Sequence, residues 1–362
     1  MYIYIFLFLV LITSYILFKY TQISSYNRDN KATNFIVFAG VCFILLIGMR
    51  AETVGSDTIA YAERYANTDI RVSMGFENPE LGFDILQYIC LHFFKLNFQL
   101  FLFVIATICI VSLFYFIYRY SVDELISVFV FIIFLLAMYM SGIRQSTAIS
   151  FALVSLIMSD KRKPLLFILF LLLAYTIHNS AIIIAPFYFI WNINITRVQA
   201  LFIFLIVVGA FFYGPYLSSI ISHLAPARYE EIPLDSQYSI SGIVLIVSIL
   251  IIVLLIIFLP VRNNGAGKYV LVGKSSVFFI MACAYLFFQI ISSLNAQLWR
   301  LGFYFIPALI ILIPYAVMSN DFFDRRSKMA IKIVVCVLCI LYFFISIPGD
   351  VLQIDNFHFF WE

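Results

Sequence analysis

The sequence predicts an all-α, polytopic integral membrane protein with about twelve transmembrane helices. Three observations carry that prediction. Hydrophobic residues make up 64% of the 362-residue chain and charged residues 11%, with a mean hydropathy of +1.05. That balance leaves too little charged surface for a water-soluble globule. The apolar stretches are continuous instead of alternating, which suits helices that satisfy their own backbone and excludes a transmembrane barrel. Aromatic residues reach 19%, mostly Phe and Tyr, as expected of lipid-facing helices with rings at the interface.

Taken in order, the first apolar run covers roughly residues 1–18. It lacks a basic leader and a small-residue cleavage site, so it reads as a retained span and not a signal peptide. A second run, 34–49, ends at Gly48-Met49-Arg50 and opens a long loop, 50–79. The segment 80–95 follows Asn78-Pro79, a good helix start. Glu80, Asp84 and Gln87 recur there at helical spacing, so it reads as an amphipathic helix lying in the interface or lining a wet cavity, without crossing. Further spans are predicted at 98–118, 125–140, 143–159, 164–177, 180–191, 198–213, 241–259, 276–293, 298–318 and 330–347. Several are shorter than the ~20 residues of a full crossing, and the hairpin 164–191 pivoting on His178 suits a partly re-entrant path.

Orientation follows from the basic loops. Residues 19–33, 160–164, 260–274 and 319–332 hold most of the 22 Lys and Arg residues, so they are placed inside. Both termini and the two long loops, 50–79 and 214–240, then fall outside. No repeat, low-complexity tract or linker divides the chain, so residues 1–362 read as one membrane domain. The six cysteines lie mostly in apolar runs without metal or disulfide spacing and read as packing residues.

Against this topology, Arg50, Arg144 and Arg300 stand out. Each lies at the outer end of a separate apolar span, where the positive-inside bias gives it no reason to be. Arg50 reads either as an interfacial anchor or as an anion clamp, and Asp57, opening a short helix at Ser56-Asp57-Thr58, either as an N-cap or as a carboxylate near an acceptor. Arg144 and Gln145 begin a helix whose Ala148, Ala152 and Ser155 form a small-residue packing face. A guanidinium at a helix N-terminus is unfavourable unless an anion binds there. His178, flanked by Asn179 and Ser180 at a hairpin tip, reads either as a hydrogen-bonded structural residue or as a proton carrier. Arg300 beside Trp299 and Tyr304 reads as an anchor or as a third anion contact.

Phosphate-binding loops, dinucleotide fingerprints, HExxH and nucleophile elbows are absent from the sequence, as is an Asp-x-Asp pair for a metal on a nucleotide sugar. Metal-assisted use of a nucleotide-activated donor is therefore disfavoured.

Together these segments resemble the EpsG family of Wzy-type polysaccharide polymerases. The resemblance rests on Gly48-Met49-Arg50, Gly55-Ser56-Asp57-Thr58 with Tyr61, Glu80 with Phe83, Gly142-Ile143-Arg144-Gln145, His178-Asn179-Ser180-Ala181, and Arg300 with Tyr304-Phe305. It spans about residues 45–310. One departure is visible: the acidic motif reads Glu80-Leu81-Gly82-Phe83, where the family often has Glu-Pro before the aromatic.

The resemblance implies a metal-independent glycosyltransferase of the bacterial cytoplasmic membrane, active on its outer face, with no cofactor. Donor and acceptor would be undecaprenyl-diphosphate-linked oligosaccharides, the glycan passing to a non-reducing-end hydroxyl of a new repeat unit. The product could be O-antigen, capsule or exopolysaccharide. Besides the lipid bilayer, a chain-length regulator and a flippase are the expected partners, and no nucleic acid is expected. In this scheme Arg50, Arg144 and Arg300 clamp the leaving diphosphate. Asp57, His178 and Glu80 are candidates for the base that deprotonates the acceptor, and Tyr61, Gln145, Asn179 and Tyr304 contact glycan. The competing readings are a lipid-linked oligosaccharide flippase or transporter, a membrane O-acyltransferase and an O-antigen ligase.

Overall fold

The structure, a computed structural model, describes residues 1–20, 28–73, 80–213, 242–263, 269–292, 298–348 and 352–362. It is 77% helical with almost no sheet. Among the described residues four helices are long and apolar enough to cross a membrane: Tyr2–Lys19, Phe98–Tyr120, Ser275–Ser292 and Arg325–Ser346. Shorter apolar helices of 10–17 residues accompany them, an arrangement that fits a membrane protein. The chain forms two compact units, Met1–Tyr188 with Met329–Glu362, and Phe189–Lys328.

In the first unit the helices are α1 (Tyr2–Tyr20), α2 (Arg28–Gly48), α3 (Thr58–Ala66), α4 (Thr68–Ser73), α5 (Leu81–Tyr88), α6 (Phe98–Tyr120), α7 (Glu124–Phe134), α8 (Leu136–Ser141), α9 (Ile143–Asp160) and α10 (Pro164–Ile177). Sequence sets several of their ends. Asn97 begins α6 and Asp123 begins α7, each side chain accepting from the backbone N–H three residues on, at 2.9 and 3.1 Å. Pro164 opens α10, where its missing N–H is no loss. Asp57 precedes α3 as expected, but its side chain makes no cap bond and accepts from Ser56 Oγ instead, at 3.1 Å.

The core is built by α2, α6, α9 and α10, with α6 packed between α2 and α9. Small buried hydroxyls on α9 permit close approach by donating to their own helix: Thr147 to Ile143 O and Ser150 to Ser146 O, both at 2.8 Å. The run 125–140 is not one helix. It breaks at Leu135 into α7 and α8, and Ser146 Oγ donates to Met138 O at 2.9 Å, meeting a carbonyl at the end of α8. Beyond α5 the chain widens into a π-helical turn, Ile89–Phe93, so the 80–95 segment is a short bent element.

Residues 180–191 are likewise not a continuous apolar helix. A 3₁₀ turn, Asn179–Ile184, leads to a single turn, α11 (Phe187–Ile190), with Pro186 between them removing a backbone donor. At the other end of the chain, residues 352–362 lie along the first loop. Ala51 N donates to His358 O at 3.0 Å, Gly55 N to Gln353 O at 3.0 Å and Phe360 N to Met49 O at 3.0 Å. Tyr4 Oη donates to Ile354 O at 2.7 Å.

The second unit contains α12 (Arg197–Phe212), α13 (Gly242–Phe258), a two-stranded antiparallel hairpin of β1 (Val261–Asn263) and β2 (Tyr269–Leu271), α14 (Ser275–Ser292), α15 (Trp299–Gly302) and α16 (Ile306–Met318). The 14 buried positions of α14 make it the centre, flanked by α12, α13 and α16. The span expected at 298–318 is broken after Gly302 and restarts at Ile306, with Pro307 in the first turn. Loop 214–240 lies outside the described residues. The last helix, α17 (Arg325–Ser346), starts where Asp324 accepts from Ser327 N at 3.0 Å.

Candidate functional site

The densest group of charges in the first unit forms where α3, α4, α5, the start of α9 and the end of α10 meet. Glu80, 7% exposed, is its hub. One carboxylate oxygen, Oε2, accepts from Arg144 Nη1 and lies 3.7 Å from Arg64 Nη1. The other, Oε1, is 3.2 Å from His178 Nδ1. One helical turn along α5, the fully buried Asp84 accepts from Arg64 Nε at 2.6 Å and from Arg71 Nε at 3.1 and 3.2 Å.

Each partner reaches the hub for a local reason. Glu80 sits at the N-cap position of α5 and Asp84 four residues on, which places both carboxylates on one face. Gly82 brings that helix against α10: a Cβ there would lie 2.3 Å from Thr176 Oγ1 and 2.9 Å from the Thr176 backbone carbon. The approach leaves Glu80 beside His178, where α10 ends. Arg64 comes from α3, its guanidinium 5.4 Å from the centre of the buried Phe83 ring, against which Tyr61 packs edge-on at 5.8 Å. Arg144 comes from the first turn of α9.

The electrostatics are unbalanced. Among the described residues three guanidinium groups face two carboxylates, a positive balance even with His178 neutral. Two buried guanidinium nitrogens, Arg64 Nη2 and Arg144 Nε, have no acceptor. Unpaired buried N–H groups on charged side chains are costly, and an added anion would satisfy them. Burial pushes the Glu80 carboxyl up, but the His178 hydrogen bond and the charges of Arg144, His178 and Arg64 outweigh it and hold the group below its ordinary value.

Each of the other expected site residues has its own setting. Asp57 is half-buried, its backbone N–H 3.4 Å from Ser141 Oγ, which in turn is 2.9 Å from Ser56 Oγ. Gly55 makes that contact possible with a positive φ of 96° and a close approach to Met140 O. Gln145 is buried beside Arg144, and Asn179 is half-buried beside His178. Arg50 does not join Glu80. It is 1% exposed, its Nη1 donates to Ile47 O at the end of α2, and Nε and Nη2 have no acceptor. Burial lowers its pKa to about 10, so it stays charged at neutral pH. Arg300, on α15, and the buried Tyr304 belong to the second unit.

The sequence model of the EpsG family matches residues 33–356, nearly the whole chain. The chain belongs to the EpsG family. This is a Wzy-like polysaccharide polymerase family, so the protein is a membrane protein of polysaccharide biosynthesis with a glycosyltransferase-like function. Neither a curated protein nor a solved structure matches it.

In this EpsG protein, sequence reasoning missed Arg64, Arg71 and the role of Asp84. The signal was present. Arg64 and Arg71 are seven residues apart, and Glu80 and Asp84 are four apart. The second spacing puts both carboxylates on one helical face, and that acidic stripe needed counter-charges, which Arg64 and Arg71 supply from α3 and α4. The stripe does not face water or lipid: Glu80, Asp84 and Gln87 are all buried.

Proposed function

We propose that the protein joins undecaprenyl-diphosphate-linked repeat units by metal-independent glycosyl transfer on the outer face of the cytoplasmic membrane, the described units acting together as one polymerase domain. The convergence of Arg64, Arg144 and His178 on Glu80 is the observation that carries the reading. Glycosyl transfer from a lipid diphosphate needs cations at the leaving group and a base at the acceptor, and this cluster holds both. As the C1–O bond to phosphorus breaks, its electron pair moves onto the diphosphate. Planar guanidinium forks suit those oxygens, and stabilising charge that develops in the transition state is usually the largest catalytic contribution.

In this scheme Arg64 and Arg144 form the clamp and Glu80, hydrogen-bonded to His178, takes the acceptor proton. Arg71 and Asp84 hold Arg64 from behind. Gln145 and Asn179, next to Arg144 and His178, and Tyr61 beside Phe83 are assigned to glycan contact. Arg300 and Tyr304 in the second unit, and Asp57 with Arg50 in the first loop, are assigned to substrate positioning. The test is extension of a purified lipid-linked repeat unit by the purified protein, with Arg144→Ala as comparison. Ladder formation by the wild type and none by the variant is expected; a ladder of equal length from both would refute the assignment.

A further inference from the structure

We propose that Glu80 is the resident anion of the Arg64–Arg144 fork, and that the donor's diphosphate displaces it, so that donor binding unmasks the base. The inference rests on the polymerase reading above and concerns how that site is regulated.

The geometry is that of a carboxylate in a place too rich in donors for it. Two guanidinium groups from different helices share one oxygen of Glu80, and His178 takes the other. Arg64 Nη2 and Arg144 Nε still lack an acceptor in a buried setting. A carboxylate has two oxygens, whereas a diphosphate presents several on two phosphorus centres. Such an anion can meet the donors that Glu80 leaves over.

The Arg64 half of the fork does not depend on Glu80 for its position. Arg64 is also held by Asp84 and by the Phe83 ring, and Asp84 is itself held by Arg71. Removing Glu80 from the fork therefore leaves Arg64 preorganised for an anion, and Arg144, released from its carboxylate, turns to the same anion. Glu80 in its resting position is a weak base, because the His178 hydrogen bond and the neighbouring cations favour the ionised form. Once displaced, it is parted from the Arg64 and Arg144 charges and lies beside the negative diphosphate, and both changes raise its basicity.

The chemical step then balances. The acceptor oxygen bonds to C1 as the C1–O bond to phosphorus breaks. The bonding pair goes to the diphosphate, and the hydroxyl proton goes to Glu80. Departure of the lipid diphosphate lets Glu80 release that proton to solvent and return to the fork. Without a donor the base stays masked, which imposes an order of binding: donor first, then acceptor activation.

Binding of inorganic pyrophosphate to the full-length protein in nanodiscs tests this. Glu80→Gln removes the competing charge, so pyrophosphate should bind at least about tenfold tighter, equivalent to about 1.4 kcal/mol. Adding Arg144→Gln to that variant should abolish the gain. Unchanged or weaker binding by Glu80→Gln would overturn the proposal, since a carboxylate that merely organises the arginines would weaken the site when lost. Should Glu80→Gln not fold, carbodiimide labelling of Glu80 in the wild type gives the answer. Pyrophosphate should accelerate it, and protection or no change would overturn the displacement. The two readings fail separately. A protein that extends lipid-linked repeats but shows no tightening refutes the displacement alone; tightening without any extension refutes the polymerase assignment.

Discussion

Two buried charge groups in the first unit are built on opposite principles. In one, Lys332 on α17 pairs with Asp123 at the start of α7 and donates to Tyr15 Oη on α1 at 2.6 Å. Asp123 spends its second oxygen on the Ile126 N–H. Lys332 and Asp123 are 4% and 5% exposed, their charges are matched one to one, and neither leaves a buried polar atom without a partner. In the other, around Glu80, cations outnumber anions among the described residues, and Arg64 Nη2 and Arg144 Nε have no acceptor there. A matched, saturated pair ties three helices together. An unmatched one holds back interaction capacity for something that arrives later. The two groups are alike in burial and differ in what remains after pairing.

Substitutions separate the two. The largest effect on catalysis is expected at Arg144. Removing a preorganised donor from developing charge lowers turnover by about 10²–10³-fold, so Arg144→Ala should slow extension by about that factor while melting near the wild-type temperature. Arg144→Lys keeps the charge but loses the planar fork, and full activity in that variant would count against a clamp.

The largest effect on stability is expected at Lys332. Replacing it with Met strands Asp123, and breaking a buried pair from one side typically costs about 3–5 kcal/mol. Yield and thermal midpoint should fall, with activity per folded molecule preserved. Pairing Lys332→Met with Asp123→Leu should restore most of the midpoint, because a hydrophobic replacement of both partners is close to neutral. No such rescue should follow from neutralising both Glu80 and Arg144, where the readout is polymerisation.

A smaller effect is expected at Gly82. A methyl group there meets Thr176 side chain and backbone, and overpacking of this kind costs about 1–3 kcal/mol. Gly82→Ala should push α5 off α10, part Glu80 from His178 and slow extension more than it lowers the melting temperature. Thr176→Ser would recover little, since the backbone carbon is part of the clash.

The smallest is a pH effect. The Glu80 carboxyl is held below its ordinary value of about 4.3. Its ionised form therefore adds stability that is complete above that value and is lost as pH falls through the folded-state value. Melting curves of wild type and Glu80→Gln should converge in that acid range and differ at neutral pH. A constant difference down to strong acid would show that the carboxylate is not ionised in the cluster.

Much of the site was legible as separate residues. Arg144 was conspicuous because a helix N-terminus disfavours a cation, and His178 because it stands at a hairpin tip. Glu80 showed itself as part of a polar stripe. Their union was not legible, since Glu80 meets Arg144 and His178 across 64 and 98 residues of sequence. Arg50 looked equivalent to Arg144 in sequence but caps the end of α2 from a buried position. The breaks at Leu135, after Gly302 and at Pro186 escaped a hydropathy reading because the residues on both sides are equally apolar.

By itself the sequence determined that this chain is a helical membrane protein, because transfer of apolar residues from water and the helix's need to satisfy its own backbone act locally. It also determined where several helices begin, because Asn97, Asp123 and Pro164 act within one turn. Which charges share a site was decided only by tertiary structure. An ion pair depends on distance in space and on burial, and both came from the packing of α3, α5, α9 and α10 around Glu80.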